Sequence, residues 1–272
     1  MAAGAAAAPP SPAGLPAAVW PVTAPGDLRA LEEACLNAWP GLRERLLDGW
    51  LLRFGDGFTR RANSVQPIHA GRLDAEEKRL RCEAAYAALG QRCIFKLTPL
   101  VQPPELDALL ARAGYRREAE TSVQVLESLA GAAADPACAL LHPLDAAWQA
   151  AFTRMDATPV PHRAALRAIL AHIAVPHVAA LRMGSGGAGG SAVACGRAVH
   201  EESRVGLFDI ATDATLRRQG HATRLIAHLL AWGRARGATR AYLQVEVDNA
   251  PARSLYERLG FREVYRYWYR VQ

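Results

Sequence analysis

The chain reads as an α/β protein built from two related halves, each a mixed central sheet flanked by helices. Three observations predict this. Helical and extended patterns alternate along most of its length. Its 272 residues, 51% of them hydrophobic, exceed one small α/β domain and can bury a sizeable core. A helix, strand, helix, glycine, strand order also occurs twice at a constant offset of 146. Leu110, Arg112, Gly114, Tyr115 and Arg116 fall on Tyr256, Arg258, Gly260, Phe261 and Arg262. The competing reading is that helix–glycine–strand units are ordinary punctuation in α/β proteins.

Taken in order, the opening residues 1–18 form an Ala/Pro-rich tail with no basic leader and no long apolar run. The first domain, 19–129, starts with a helix over Asp27–Leu36, where Leu28, Leu31, Ala34 and Cys35 share a face. Trp50–Phe54 reads as a strand, Gly55-Asp56-Gly57 as a turn, and Phe58–Ile68 as a second extended piece. Asp74–Leu89 is helical with Gly90 as its stop, Cys93–Leu97 is a strand, Pro104–Ala113 is a helix closed by Gly114, and Thr121–Leu126 is a strand. Residues 130–137, small and broken by proline, form the expected linker to a second domain at 138–272. There, helices over Ala146–Met155 and His162–Ile173 lead to a strand at His177–Met183, a turn at Gly184–Gly190, and strands at Ser191–His200 and Val205–Thr212. A helix at Gly220–Arg236, a strand at Arg240–Val247, a helix at Ala250–Leu259 and a strand at Glu263–Val271 complete it.

Composition narrows the function classes. The basic residues are almost all arginine, spread along the chain instead of gathered on one stripe, and the net charge of +6 is modest, so no nucleic-acid partner is expected. Cys35, Cys82, Cys93, Cys138 and Cys195 are odd in number and include no CxxC, which suits core residues in a reducing, cytoplasmic setting and offers no metal knuckle. No stretch reaches the roughly 20 apolar residues of a membrane span.

The chemistry concentrates in Val205–Thr223. A strand ends at Thr212, and Arg217-Arg218-Gln219-Gly220-His221-Ala222-Thr223 opens a helix whose Leu225, Ile226, Leu229, Leu230 and Gly233 face a sheet. First-turn amides lack intrahelical acceptors and can hold a diphosphate, and Gly220 and Ala222 allow it close approach. Arg217 and Arg218 add charge at the rim. The pattern Arg217-x-x-Gly220-x-Ala222, with strand 240–247, Asn249 and Leu255-Tyr256-Glu257-Arg258-Leu259-Gly260-Phe261, resembles motif A and the following elements of the GCN5-related N-acetyltransferases (GNATs). The Gly49–Ser64 run resembles the first half of bacterial two-domain members, so the resemblance covers most of the chain after residue 18.

The resemblance implies tandem GNAT-like acyl-CoA N-acyltransferase folds. The second would be catalytic and use acetyl-CoA; the first would be degenerate, because Asp74, Glu76 and Glu77 place negative charge where a diphosphate would sit. It implies cofactor contacts at Ile210, Ala211 and Thr212 for the pantetheine arm, at Arg217 to Thr223 for the diphosphate, and at Asn249 and Tyr256. Tyr256 stands at the family's general-acid position, the competing reading being a tyrosine that fills a helix–sheet seam, and capping alone would justify Asn249. Period-two alternation puts Leu207, Asp209 and Ala211 on one strand face, which makes Asp209 a candidate base in competition with Glu201, Glu202 and Glu246; His200 and His221 could titrate usefully. Trp50, Phe58, Arg60, Arg61 and Asn63 are candidate acceptor contacts from the first half, or simply a packed hairpin. The expected reaction is direct acetyl transfer in a ternary complex to a primary amine of a small molecule or peptide, by a monomer or homodimer, with no metal and no membrane partner. A non-catalytic acetyl-CoA sensor, or a structural or protein-binding tandem protein, are the alternatives.

Overall fold

The computed structural model describes residues 25–156, 159–184 and 191–272. The expected opening tail, and most of the Gly184–Gly190 turn, lie outside these residues. The first half contains α1 (Pro25–Asn37), β1 (Arg43–Leu47), β2 (Trp50–Phe54), β3 (Val65–Gln66), α2 (Ala75–Ala87), β4 (Ile94–Leu97), α3 (Leu106–Arg112) and β5 (Arg116–Leu126). The second contains β6 (Cys138–Leu141), α4 (Ala146–Met155), α5 (Arg163–Ala171), β7 (His177–Met183), β8 (Ala192–Glu201), β9 (Arg204–Thr212), α6 (His221–Arg234), β10 (Arg240–Glu246), α7 (Ala250–Arg258) and β11 (Arg262–Val271).

Local chemistry accounts for the boundaries. Asp74, Asp145 and Asn249 cap α2, α4 and α7 by accepting first-turn amides, which have no acceptor within the helix. At the ends of α3 and α7, Gly114 (φ 85°) and Gly260 (φ 93°) adopt the left-handed conformation. Tyr115 N then donates to Leu110 O and Phe261 N to Tyr256 O, both at 3.0 Å. The same motif thus closes both halves at the 146-residue offset, which also carries α2 onto α6, β4 onto β10 and β5 onto β11.

Three elements differ from expectation. Only Val65–Gln66 of the expected Phe58–Ile68 strand pairs, because Asn63 Oδ1 accepts from Gly55 N and Gly57 N and folds the preceding residues into a compact turn. β1 was not anticipated, since four of its five residues are exposed and leave no apolar alternation. β6, of four residues, is likewise a short edge strand with exposed central residues.

All the strands among the described residues join one mixed eleven-stranded sheet in the order β1-β2-β3-β4-β11-β5-β10-β9-β8-β7-β6. Each half gives its last strand to the other. β11 pairs with β4 of the first half, β5 pairs with β10 of the second, and β5 and β11 pair with each other, all antiparallel. Two expected sheets therefore become one, because each exchanged strand fills an edge the other half would otherwise expose. On one face α6 packs against β7, β8 and β9, so closely that a Cβ on Gly233 would lie 2.6 Å from Val205 Cβ. On the other, Trp148, Phe152, Leu166 and Ile169 of α4 and α5 share a core with Leu31, Cys35 and Trp39 of the first half and with Tyr265, Tyr267 and Tyr269 of β11. No helix among the described residues is long and apolar enough to cross a membrane.

Candidate active site

The site lies where two parallel strands part. β9 and β10 pair only from Arg204↔Arg240 to Leu207↔Leu243, although β9 continues to Thr212 and β10 to Glu246. Past Leu243, β10 stays with β5 as far as Glu246↔Thr121, while β9 stays with β8 as far as Thr212↔Ala194. A wedge opens between them, and backbone N–H and C=O groups along its two inner edges have no ladder partner across it.

β9 is also bulged at the wedge. Arg197 pairs with Phe208 and Cys195 with Ala211, so Gly196 alone faces Asp209 and Ile210, and Asp209 takes φ 56°. This corrects the alternation read from sequence. Leu207 and Ile210 both pack on the α6 side, and Phe208 and Ala211 on the α4 and α5 side. The extra residue reverses the facing of everything after it. The Asp209 carboxylate turns to the Phe208 side, where Oδ2 accepts from Arg197 Nε at 2.8 Å, with its side chain 7% exposed.

At the mouth of the wedge, Asp213 fixes the turn that leads into α6. Its carboxylate accepts from Thr215 N and Oγ1 and from Arg154 Nη1, contacts that hold its pKa below the ordinary value. Arg217 to Gly220 are exposed, with Arg218 (φ 62°) and Gly220 (φ 78°) in the left-handed region, which suits the glycine. The amides of Arg218, Gln219, Gly220, His221, Ala222 and Thr223 meet no acceptor among the described residues, and a Cβ at Gly220 would meet nothing within 4 Å. These are the features a bound diphosphate requires: free donors, open space and the positive end of a helix.

His221 is held from behind. Arg182, buried on β7, places Nη1 2.7 Å from His221 Nδ1 and Nε 3.1 Å from the Asp135 carboxylate. Burial, then the charges of Arg182 and Arg224, lower the His221 pKa. An arginine N–H can only donate, so Nδ1 accepts here and the ring's proton sits on Nε2. Arg182 and Asp135 escaped the sequence reading, although a lone arginine in the apolar run His177–Met183 was a signal that something paired with it.

At the first half's equivalent helix start the amides are already taken. Asp48, at the tip of the β1–β2 hairpin, accepts from Arg72 N at 3.0 Å and Leu73 N at 2.9 Å, and Lys78 Nζ lies 3.5 Å from its Oδ2. Residues 72 and 73 correspond to 218 and 219 at the 146-residue offset. Those two backbone bonds are the leading reason the Asp48 pKa is lowered.

Asn249 Oδ1 accepts from Ala252 N at 3.2 Å, the capping contact. Tyr256 on α7 is 8% exposed, packs edge-on to Phe261 at 5.9 Å, and shares a core with Leu207 and Val245 beside the wedge. Burial pushes its pKa up to about 12, opposed by the charge of Arg61 from the first half. The charges of Arg61 and Asp209 also act on each other, so this first-half arginine lies near the bulge. Phe58 stacks on His162 at 5.3 Å, and Arg60 donates to Glu118 at 2.7 Å. Trp50 and Asn63 are instead committed to the fold: Trp50 is fully buried with Nε1 on Gln102 O, and Asn63 fastens its turn. Glu201, Glu202 and His200 lie at the β8–β9 hairpin, the opposite end of β9 from the bulge, and Glu246 is exposed where β10 ends. A cavity of about 560 Å³ at the end of α1, lined by Asn37, Glu44, Arg53 and His172 among others, shares no residue with the wedge.

A family described as "Probable histone acetyltransferase Rv0428c C-terminal" matches residues 25–270. The chain belongs to this family of GCN5-related N-acetyltransferases. It is 31% identical over 239 residues to the Mycobacterium tuberculosis protein named probable histone acetyltransferase Rv0428c, covering 86% of this chain and 70% of that one. It is 25% identical over 251 residues to the Bacillus subtilis uncharacterized N-acetyltransferase YobR, covering 90% and 99%. Among solved structures, a GCN5-related N-acetyltransferase from Kribbella flavida superposes with a TM-score of 0.60 at 17% identity over 91% of this chain and 94% of that one. A tandem GNAT protein of the clavulanic acid biosynthesis pathway gives 0.56 at 15% identity over 82% and 77%. These likenesses show that the fold of this GNAT chain is that of tandem members. Family membership carries the general activity, acetyl-CoA-dependent acetylation of an amine.

Proposed function

We propose that this acetyltransferase binds one acetyl-CoA, in the second half, and transfers the acetyl group directly to a primary amine of a small molecule or peptide in a ternary complex. The observation that carries the reading is the pairing of an unpartnered amide row at the start of α6 with the open wedge between β9 and β10. The first would hold the diphosphate through residues 218–223, with Arg217 and Arg218 at the rim and the His221 Nε2 proton available as a further donor. The second would hold the pantetheine arm on the backbone of Ile210 to Thr212, with Asn249 closing the far side. Bound acetyl-CoA supplies an activated acyl group and a thiolate as leaving group.

The chain's own residues supply the rest. Tyr256 keeps its phenol proton throughout the neutral range, because its raised pKa leaves it un-ionised below about pH 12, and it would donate from the wall of the wedge. Backbone amides of the bulge would face charge developing on the carbonyl oxygen. Asp209 is the carboxylate on the bulge itself, and its Oδ2 is already engaged by Arg197 Nε at 2.8 Å. Thiol release from acetyl-CoA, followed across amino acids, polyamines, aminoglycosides and peptide amino termini with mass analysis of the acceptor, tests the proposal. An acetylated amine is the expected product. Tight acetyl-CoA binding with no product across the series would favour a sensor.

A further inference from the structure

The bulge of β9 is gripped by one cation that touches both halves of the molecule. We infer that Arg197 is a positioning residue for acetyl transfer: it anchors Asp209 in its left-handed conformation and ties the pantetheine-binding edge of β9 to the end of α1. This rests on the cofactor placement proposed above.

A non-glycine residue at φ 56° is disfavoured by its own Cβ, so the surroundings must hold it there. Arg197 does so from the neighbouring strand, at the position paired with Phe208, with Nε 2.8 Å from Asp209 Oδ2. Its guanidinium is fully buried between two rings, 5.1 Å from the centre of Trp39 and 5.0 Å from that of Phe208, and its Nη1 reaches Ala38 O at 3.4 Å. Trp39 and Ala38 belong to the first half, while Phe208 and Asp209 belong to the bulge.

Stability alone does not explain a charge here. Its neighbours along β8 are Val193, Ala194, Cys195, Ala198 and Val199, all buried and uncharged, and Arg197 Nη2 has no acceptor among the described residues. Apolar packing often stabilises as well as a buried ion pair or better, whereas an ion pair specifies geometry that apolar packing does not. The geometry specified is the bulge, which decides which backbone groups of Ile210 to Thr212 line the wedge. Without the anchor the strand can relax toward regular alternation, which turns that edge over. The first half then bears on transfer through Trp39 and Arg197 without touching the cofactor.

The test uses the full-length chain and two probes: acetyl-CoA, and adenosine 3′-phosphate 5′-diphosphate, its nucleotide end, which would reach only the α6 amides. Arg197→Met is expected to weaken acetyl-CoA binding about tenfold, the scale of a misplaced binding group, and leave the nucleotide probe unchanged. Arg197→Lys should fall between it and the wild type. Adding Asp209→Gly to Arg197→Met should recover most of the loss of affinity, because glycine adopts positive φ without an anchor. Unchanged acetyl-CoA affinity in Arg197→Met, failure of the glycine rescue, or equal loss of both probes in Arg197→Met and Arg197→Lys would each overturn the inference. A wild-type chain that binds neither probe would instead sink the cofactor placement itself.

Discussion

At the start of α2 the amides of Arg72 and Leu73 are bonded to the carboxylate of Asp48, while at the start of α6 the corresponding amides of Arg218 and Gln219 meet no acceptor among the described residues. The helices sit at equivalent places in two halves that repeat at one offset and close α3 and α7 with the same glycine motif. The scaffold therefore does not decide whether a half can take a diphosphate. The first half supplies its own anion, with Asp74 capping the helix and Glu76 and Glu77 in its first turn. The second offers Gly220 and open space instead. A helix start needs an anion or a cap; α2 has both, whereas α6 has no side-chain cap.

The comparison can be broken at its chemistry first. Tyr256→Phe keeps the ring that packs on Phe261 and removes the hydroxyl, so the single-turnover rate should fall 10²–10⁴-fold, the usual worth of positioned proton transfer, with acetyl-CoA affinity nearly unchanged. A wild-type rate would return Tyr256 to the core it shares with Leu207 and Val245. The next effect is on binding. Gly220→Glu forces a side chain into the left-handed region and sets a negative charge at the start of α6, so acetyl-CoA affinity should drop by about a hundredfold, some of it from like-charge repulsion. The smallest effect sharpens the other side. Asp48→Asn should lower the thermal midpoint at neutral pH and leave acetyl-CoA affinity alone. Its pH dependence has a definite sign: a carboxylate with a depressed folded pKa contributes stability above the unfolded value, about pH 4, and loses it as pH falls through the folded value. The gap between wild type and Asp48→Asn should close on acidification; a constant gap would mean the amides of Arg72 and Leu73 do not depend on that charge.

Much of this was legible because the determinants are local. Asn249 reads as a cap, Asp74, Glu76 and Glu77 as negative charge at a helix start, Gly114 as a stop, and Gly220 with Ala222 as an approachable helix start, and the helices and most strands follow. What was hidden depends on residues distant in sequence. Exchange of β5 and β11 leaves no mark in either strand, since both alternate as they would at home. The bulge at Asp209 follows from a pairing with β8 and an arginine twelve residues away, so period-two reasoning placed Asp209 on the wrong face. Asp48 carries no signal in the sequence until the chain brings it to Arg72 and Leu73. Arg197 and Arg182 each put a charge in an apolar strand, a signal the sequence reading passed over, and their partners lie far off in the chain.

The central claim is that one half is open to the cofactor and the other is closed by its own carboxylate. Calorimetric titration of the full-length chain with acetyl-CoA, beside Gly220→Glu and Asp48→Asn, tests it most directly. The account predicts one site per chain, lost in Gly220→Glu and retained in Asp48→Asn. Two equivalent sites in the wild type, or a single site that survives Gly220→Glu and disappears in Asp48→Asn, would contradict it.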